Sequence, residues 1–407
     1  MNIRILSQYY PPDTATTGIL LHELTAGLRA RGHSIEVFTA QPTYSSELTA
    51  APEEKSERVN IFRVWSTRMD KNSMLGKVLN SLTFVVSVFL RLLLTRDSSS
   101  PLLIVSNPPF LPIVGLALRV FRKIPFIFLV HDVYPDIAIR LGYLRSDGFI
   151  QWYWNRLNSM ILRASSHVVV LSEAMKKIVV KKMILADVND PDGKISIIHN
   201  WARGEVIRPV GKADNLFLKR HAFSGKFIVQ YSGNMGLFHG LENVIEAAAK
   251  IDDPDFIFLF IGDGGKKTRL EKMVSGLGLS NVMFLPFQDS SILAHSLSAA
   301  DVAIVSLEEG IDGLAMPSKL YPIMASGTPI LAFCDPNSDI ANILSDAHSG
   351  FVFRHNDVAG FVGKLKHLTS DRPLLDKLKS NARRCFEERF GFEKALSEYE
   401  KVILSLK

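Results

Sequence analysis

The sequence lacks the marks of several common functional classes. Among its 407 residues there are only two cysteines, Cys334 and Cys385. Two are too few for a disulfide framework, and neither stands in a CxxC or Cys/His spacing that would hold zinc. No GxGxxG follows a strand candidate and no GxxxxGK(S/T) occurs, which disfavours the NAD-type and P-loop modes of nucleotide binding. HExxH and carboxylate clusters are missing, so no catalytic metal is expected. No run of about 18 uninterrupted apolar residues marks a membrane span. The apolar start Met1–Leu6 is too short for a secretory signal and reads as a first strand before the turn Tyr9-Tyr10-Pro11-Pro12. A reducing cytoplasm is the expected setting.

What is present is the composition of a globular chain, 47% hydrophobic and 22% charged, without a repeat of fixed period. The length exceeds one compact core and fits two domains of roughly 200 residues each. A net charge of +6 suits anionic partners, whether phosphates, membrane surfaces or nucleic acid.

Short apolar runs alternate with helical patterns. The strand candidates of the first half are 2–8, 34–39, 102–106, 125–131 and 168–172. Leu20, Leu21, Leu24 and Leu28 recur at helical spacing between the first two. The pattern restarts with 227–232, 256–262, 282–285, 302–306 and 329–333. Near-continuous apolar strands alternating with helices predict parallel sheets covered on both faces, an α/β fold of two Rossmann-like domains. The expected division is residues 1–203 together with a terminal helix near 390–407, and residues 204–389, with 199–215 as linker.

Open parallel sheets bind ligands at the carboxyl ends of their strands, where amides and helix starts face an anion. Four loops there are rich in small residues: Pro12–Gly18 ahead of the first helix, Ser232–Gly240 with Gly233 and Asn234, Gly262–Lys266 with Asp263, and Ala315–Leu320. Together they point to a phosphate-bearing ligand, and the missing motifs leave a sugar nucleotide or similar diphosphate. The segment His131-Asp132-Val133-Tyr134-Pro135-Asp136 puts titratable groups at the same edge of the first sheet. His131 there could hydrogen-bond a sugar hydroxyl or shield a developing cationic centre, or be a structural strand-end residue.

With these residues in view, the chain resembles the family 4 glycosyltransferases of the GT-B fold, closest to the bacterial branch that adds sugars such as N-acetyl-L-fucosamine in surface-polysaccharide assembly. The resemblance rests on YYPPDTATTG, SNPPF, HDVYPD, the HN at 199–200, YSGNMGLFHGLENVIEAA, IGDGG, FLPF and MPSKLYPIMASGTPI in order. It implies two Rossmann-like domains facing across a cleft, with the C-terminal helix crossing back. The amino-terminal domain would bind the acceptor, with Asn107, Asp132 and Tyr134 on that side, and His131 would contact the transferred sugar. Gly18 would face the donor diphosphate. Gly233, Asn234, His239 and Asp263 belong to the donor side, and Phe287 would frame the base. The amides of Ser318, Lys319 and Leu320 would receive the phosphates. Transfer would retain configuration and need no metal or other cofactor.

The chain also departs from that pattern. Leu314 and Pro322 stand where many relatives carry two glutamates, so Glu308 or Glu309 become candidates for the ribose. Asn234 and His239 stand where many carry an arginine and a lysine, which leaves Lys319, with Lys266 behind it, to meet the diphosphate. Residues 75–96 form the most apolar helical pattern, with Lys77, Asn80, Ser81, Ser87, Arg91 and Thr95 as a narrow polar stripe. This reads either as a core helix or as an interfacial helix, and Trp152-Tyr153-Trp154 reads as a possible second anchor. The partners expected are a nucleotide sugar, UDP-linked as the resemblance implies, a lipid-linked or glycan acceptor, and the inner face of the cell membrane through residues 75–96, but not nucleic acid. A sugar-nucleotide epimerase of the same fold and a non-catalytic binding subunit are the rival readings.

Overall fold

The computed structural model describes residues 1–42, 49–69, 74–95 and 99–406. These divide into two compact units. Unit 1 comprises Met1–His199, Gly313–Met316 and Ala395–Lys407, and unit 2 comprises Asn200–Asp312 and Pro317–Lys394. The expected division lay a few residues later at the linker and a few earlier before the terminal helix.

Unit 1 is built on strands β1 (Asn2–Leu6), β2 (Ser34–Thr39), β3 (Glu53–Ser56), β4 (Val59–Arg63), β5 (Leu102–Val105), β6 (Phe126–Val130), β7 (His167–Val170) and β8 (Ile195–Ile197). They lie in the order β3-β4-β2-β1-β5-β6-β7-β8. All neighbours run parallel except β3 with β4. The central strands β5 and β6 are buried throughout, as a parallel sheet covered on both faces requires. The order reverses at β1, whose neighbours are β2 and β5, so the ligand-binding crevice of such a sheet lies where the loops after β1 and β5 diverge.

Unit 2 holds β9 (Phe227–Ser232), β10 (Phe256–Ile261), β11 (Val282–Leu285), β12 (Val302–Ser306), β13 (Ile330–Phe333) and β14 (Gly350–Phe353). All are parallel, in the order β11-β10-β9-β12-β13-β14. Here the reversal falls between β9 and β12, and the loops that follow them carry Gly233 and Lys319.

The first helix, Thr16–Ala30, starts earlier than the loop reading placed it, so Gly18 sits in its first turn. It buries Leu20, Leu21, Leu24 and Leu28, the residues whose spacing predicted it. The terminal helix Phe392–Leu404 starts in unit 2 and continues into unit 1, where Glu400 accepts from Arg31 at 2.7 Å and His33 at 2.8 Å.

Residues 75–96 give the helix Met74–Leu93, with Arg96 outside the described residues. Phe84, Val88 and Leu92 are buried, while Leu75, Val78, Leu82, Val86, Leu90 and Leu93 are exposed. The polar stripe needs correcting. Asn80 turns inward, accepting from the Thr67 hydroxyl at 2.8 Å and donating to the Met69 carbonyl at 3.0 Å. Ser81 also donates to Gln8 Oε1 at 3.4 Å and Arg91 lies over the Phe62 ring at 5.4 Å, so three side chains of the six tie the helix to its own unit, and the outward face is chiefly apolar.

Candidate active site

In unit 1, β5 and β6 end side by side and deliver Ser106 and His131 to the same edge. The buried Ser106 hydroxyl oxygen accepts from the amides of His131 at 2.9 Å and Asp132 at 3.1 Å. This cap satisfies two amides that leave the ladder and fixes where the imidazole starts. His131 Nδ1 lies 3.5 Å from the Thr17 hydroxyl in the first helical turn. Burial pushes the His131 pKa down to about 4, so the ring is neutral near pH 7. The same burial raises the Asp132 carboxyl to about 6. Tyr134 is also raised, by burial first and then by Asp132 and Tyr9. Its ring stacks on Trp154 at 5.6 Å, and Trp154 packs on Phe110 at 4.6 Å. The Val133 amide donates to the Leu314 carbonyl at 2.8 Å, so Leu314 lies beside this loop.

In unit 2, close backbone packing makes the edge. Gly233 N donates to Ile261 O at 2.9 Å, Met235 N to Asp263 O at 2.7 Å, and Lys266 N to Met235 O at 2.9 Å. Gly262, at φ +132, would place a Cβ 2.2 Å from Gly233 O, so no other residue fits there. Phe287 lies against the same glycine and is 60% exposed, as a surface for a flat ring would be. Lys319 hydrogen-bonds the Tyr231 hydroxyl, and its Nζ lies 3.8 Å from the Tyr231 ring centroid. Packing around it pushes its pKa well below the ordinary lysine value.

Several expected site residues change meaning in the structure. Gly18 also packs closely on the chain itself, since a Cβ there would stand 3.0 Å from the Tyr9 and Tyr10 backbone, which would have to yield by a few tenths of an ångström. The Leu320 amide donates to Pro317 O at 3.2 Å. The amides of Ser318 and Lys319 have no acceptor among the described residues. His239 donates Nδ1–H to Ser306 O at 2.7 Å, and burial holds its pKa near about 3. It therefore brings no positive charge to a diphosphate. Lys266 is spoken for by Glu308 at 2.5 Å, Glu242 at 3.2 Å and the His239 carbonyl at 2.8 Å. Asn234 and Asp263 are exposed at the same edge, and Asn107 is half-buried just after Ser106. Thr17, Ser106 and Tyr231 were not anticipated. The available signals were their places in the quoted segments YYPPDTATTG, SNPPF and YSGNMGLFHG and their positions, at the end of a buried strand or in the first turn of a helix. Among the described residues, no group of three or more His, Cys, Asp or Glu is placed to hold a metal.

Residues 17–201 match the family described as glycosyl transferase 4-like domain, and residues 214–385 match glycosyl transferases group 1. The chain is 31% identical to WbjE of Pseudomonas aeruginosa, named as a glycosyltransferase, over 71% of each chain. It is 29% identical to WcaI of Escherichia coli K12, named for colanic acid biosynthesis, over 80% of this chain and 82% of the other. Sucrose-phosphate synthase from Thermosynechococcus elongatus matches the fold with a TM-score of 0.79 at 17% identity, over 100% of this chain and 99% of that one. HepE of Anabaena, solved in complex with UDP, matches with a TM-score of 0.73 at 16% identity over 100% of both. With both halves matched and the WbjE likeness extending over more than two thirds of the chain, this protein belongs to the group 1 glycosyl transferases of GT-B fold and is a glycosyltransferase.

Proposed function

We propose that the protein moves a sugar, with retention of configuration, from a UDP-linked donor to a lipid-linked or glycan acceptor in bacterial surface-polysaccharide synthesis. The observation that carries the donor half is Lys319. Its amino group has no carboxylate partner among the described residues and is set beside Gly233 at the topological reversal of unit 2; burial lowers its pKa, and a diphosphate arriving there would favour its charged form. HepE was crystallised with UDP and WcaI is named for colanic acid biosynthesis, which supports the choice of nucleotide and process. Incubation with radiolabelled sugar nucleotides and a bacterial membrane extract tests it, with label expected in the lipid or glycan fraction. Epimerised donor would establish the epimerase reading, and no turnover would establish a binding subunit. The anomeric proton couplings of the product report whether configuration is retained.

The reaction is proposed to run without a divalent metal. Lys319 and the unpaired amides of Ser318 and Lys319 supply positive potential for the leaving diphosphate. Activity should therefore survive EDTA, and complete loss restored by Mg²⁺ or Mn²⁺ would show that an ion does this work.

The exposed face of Met74–Leu93 is proposed to rest on the cytoplasmic face of the membrane. By length and composition this helix is apolar enough to cross a bilayer, yet its inner side is packed in unit 1. Each CH₂ entering the acyl boundary contributes about 0.8 kcal/mol, so two or three such side chains support reversible attachment. Leu82 and Leu93 are 42% and 43% exposed, and Lys77 and Arg91 are exposed on the same helix. Changing Leu82, Phe89 and Leu93 to serine should release the protein from anionic liposomes in flotation while leaving its circular dichroism unchanged. Native protein that stays with the soluble fraction, together with an unfolded triple variant, would make this a core helix.

A further inference from the structure

The basic groups at the ligand edge of unit 2 are not equivalent. Lys266 is neutralised by Glu308 and Glu242, and His239 is uncharged with its Nδ1–H on the Ser306 carbonyl. Lys319 touches no carboxylate among the described residues, and its polar partner is Tyr231. Tyr231 is 1% exposed and wedged between the Phe260 and His239 rings. Its hydroxyl donates to the Asn234 carbonyl at 2.6 Å. With that proton committed, the phenol oxygen offers Lys319 only lone pairs, so the lysine is the donor. Burial raises the Tyr231 pKa further, which keeps the phenol protonated. Gly233 completes the arrangement, since a Cβ there would come within 3.3 Å of Lys319 Cε and 3.4 Å of Nζ.

We propose that Tyr231 is a positioning residue for the donor site, holding the Lys319 head against the Gly233–Asn234 turn, where a nucleoside diphosphate is to be met. This rests on the reading that Lys319 contacts the diphosphate. A lysine is a point charge on a flexible four-carbon stem, and ordering it on ligand arrival costs rotamer entropy. A buried phenol that has already chosen the rotamer removes most of that cost. The turn is bound into the same arrangement, because the hydroxyl that receives Lys319 also grips the Asn234 carbonyl.

A double-mutant cycle on UDP affinity, measured by calorimetry with the full chain, tests this. Tyr231→Phe keeps the ring packing and removes only the hydroxyl. It should weaken UDP binding about fivefold or more, as loss of one net hydrogen bond does. Tyr231→Phe should add nothing further once Lys319→Ala is present, because a residue that acts through Lys319 has nothing left to position. Independent, additive losses would overturn the proposal, as would wild-type affinity in Tyr231→Phe. Wild-type affinity in Lys319→Ala would instead remove the underlying reading of Lys319. Should Tyr231→Phe not fold, ¹⁵N-lysine spectra of the unaltered protein decide. A slowly exchanging Lys319 side-chain signal before UDP is added supports the proposal, and a freely averaged signal like those of surface lysines refutes it.

Discussion

Replacing His131 with alanine should lower turnover by about 10²-fold or more, the scale of losing one positioned transition-state group. Donor affinity should change far less. The expectation follows from how the imidazole is held. Its backbone amide is pinned by the Ser106 hydroxyl, and Nδ1 faces Thr17. With a pKa of about 4 the ring stays uncharged. A neutral imidazole can accept from or donate to a sugar hydroxyl without repelling positive charge that develops at the anomeric carbon. Steady-state kinetics alongside UDP calorimetry separates the two effects. A folded His131→Ala protein with an unchanged turnover number would place the chemistry elsewhere.

The second large effect is expected at Lys319. Its replacement by alanine should weaken nucleoside-diphosphate binding by roughly 1.5–3 kcal/mol, the range for a hydrogen bond to a charged group. The alternatives are few. His239 is neutral and Asn234 uncharged, and Lys266 already faces two carboxylates. Calorimetric titration with UDP reads the change directly. If affinity is retained, the backbone amides alone must hold the phosphates.

Much of this organisation could be read before any coordinates. The spans 34–39, 227–232, 282–285 and 302–306 coincide with observed strands because buried parallel strands are short apolar blocks whose ends are marked by turn residues. What escaped notice shares a physical cause. β3 reads Glu-Glu-Lys-Ser and is exposed throughout, so it carries no hydrophobic signal and pairs antiparallel at the sheet edge. β8 has only three residues. The site was partly legible. His131 and Lys319 announce themselves by chemistry and by place. Ser106, Thr17 and Tyr231 act through hydrogen bonds between loops distant in sequence, which spacing along the chain cannot reveal. Asn80 misled for the opposite reason, since an amide in an apolar helix looks solvent-facing until its partners at Thr67 and Met69 are known.

The return of the terminal helix sets a limit on how the protein can be cut. Leu396, Tyr399, Val402 and Ile403 are buried, and Glu400 holds Arg31 and His33 within the amino-terminal unit. A gene fragment ending near residue 199 would therefore yield a unit stripped of its last helix, with apolar surface laid bare. Grafting residues 395–406 onto such a fragment through a short linker would restore that helix, while the Val133 amide would still lack its partner at Leu314. By the same logic, removing residues 395–406 damages the unit built mainly from residues 1–199.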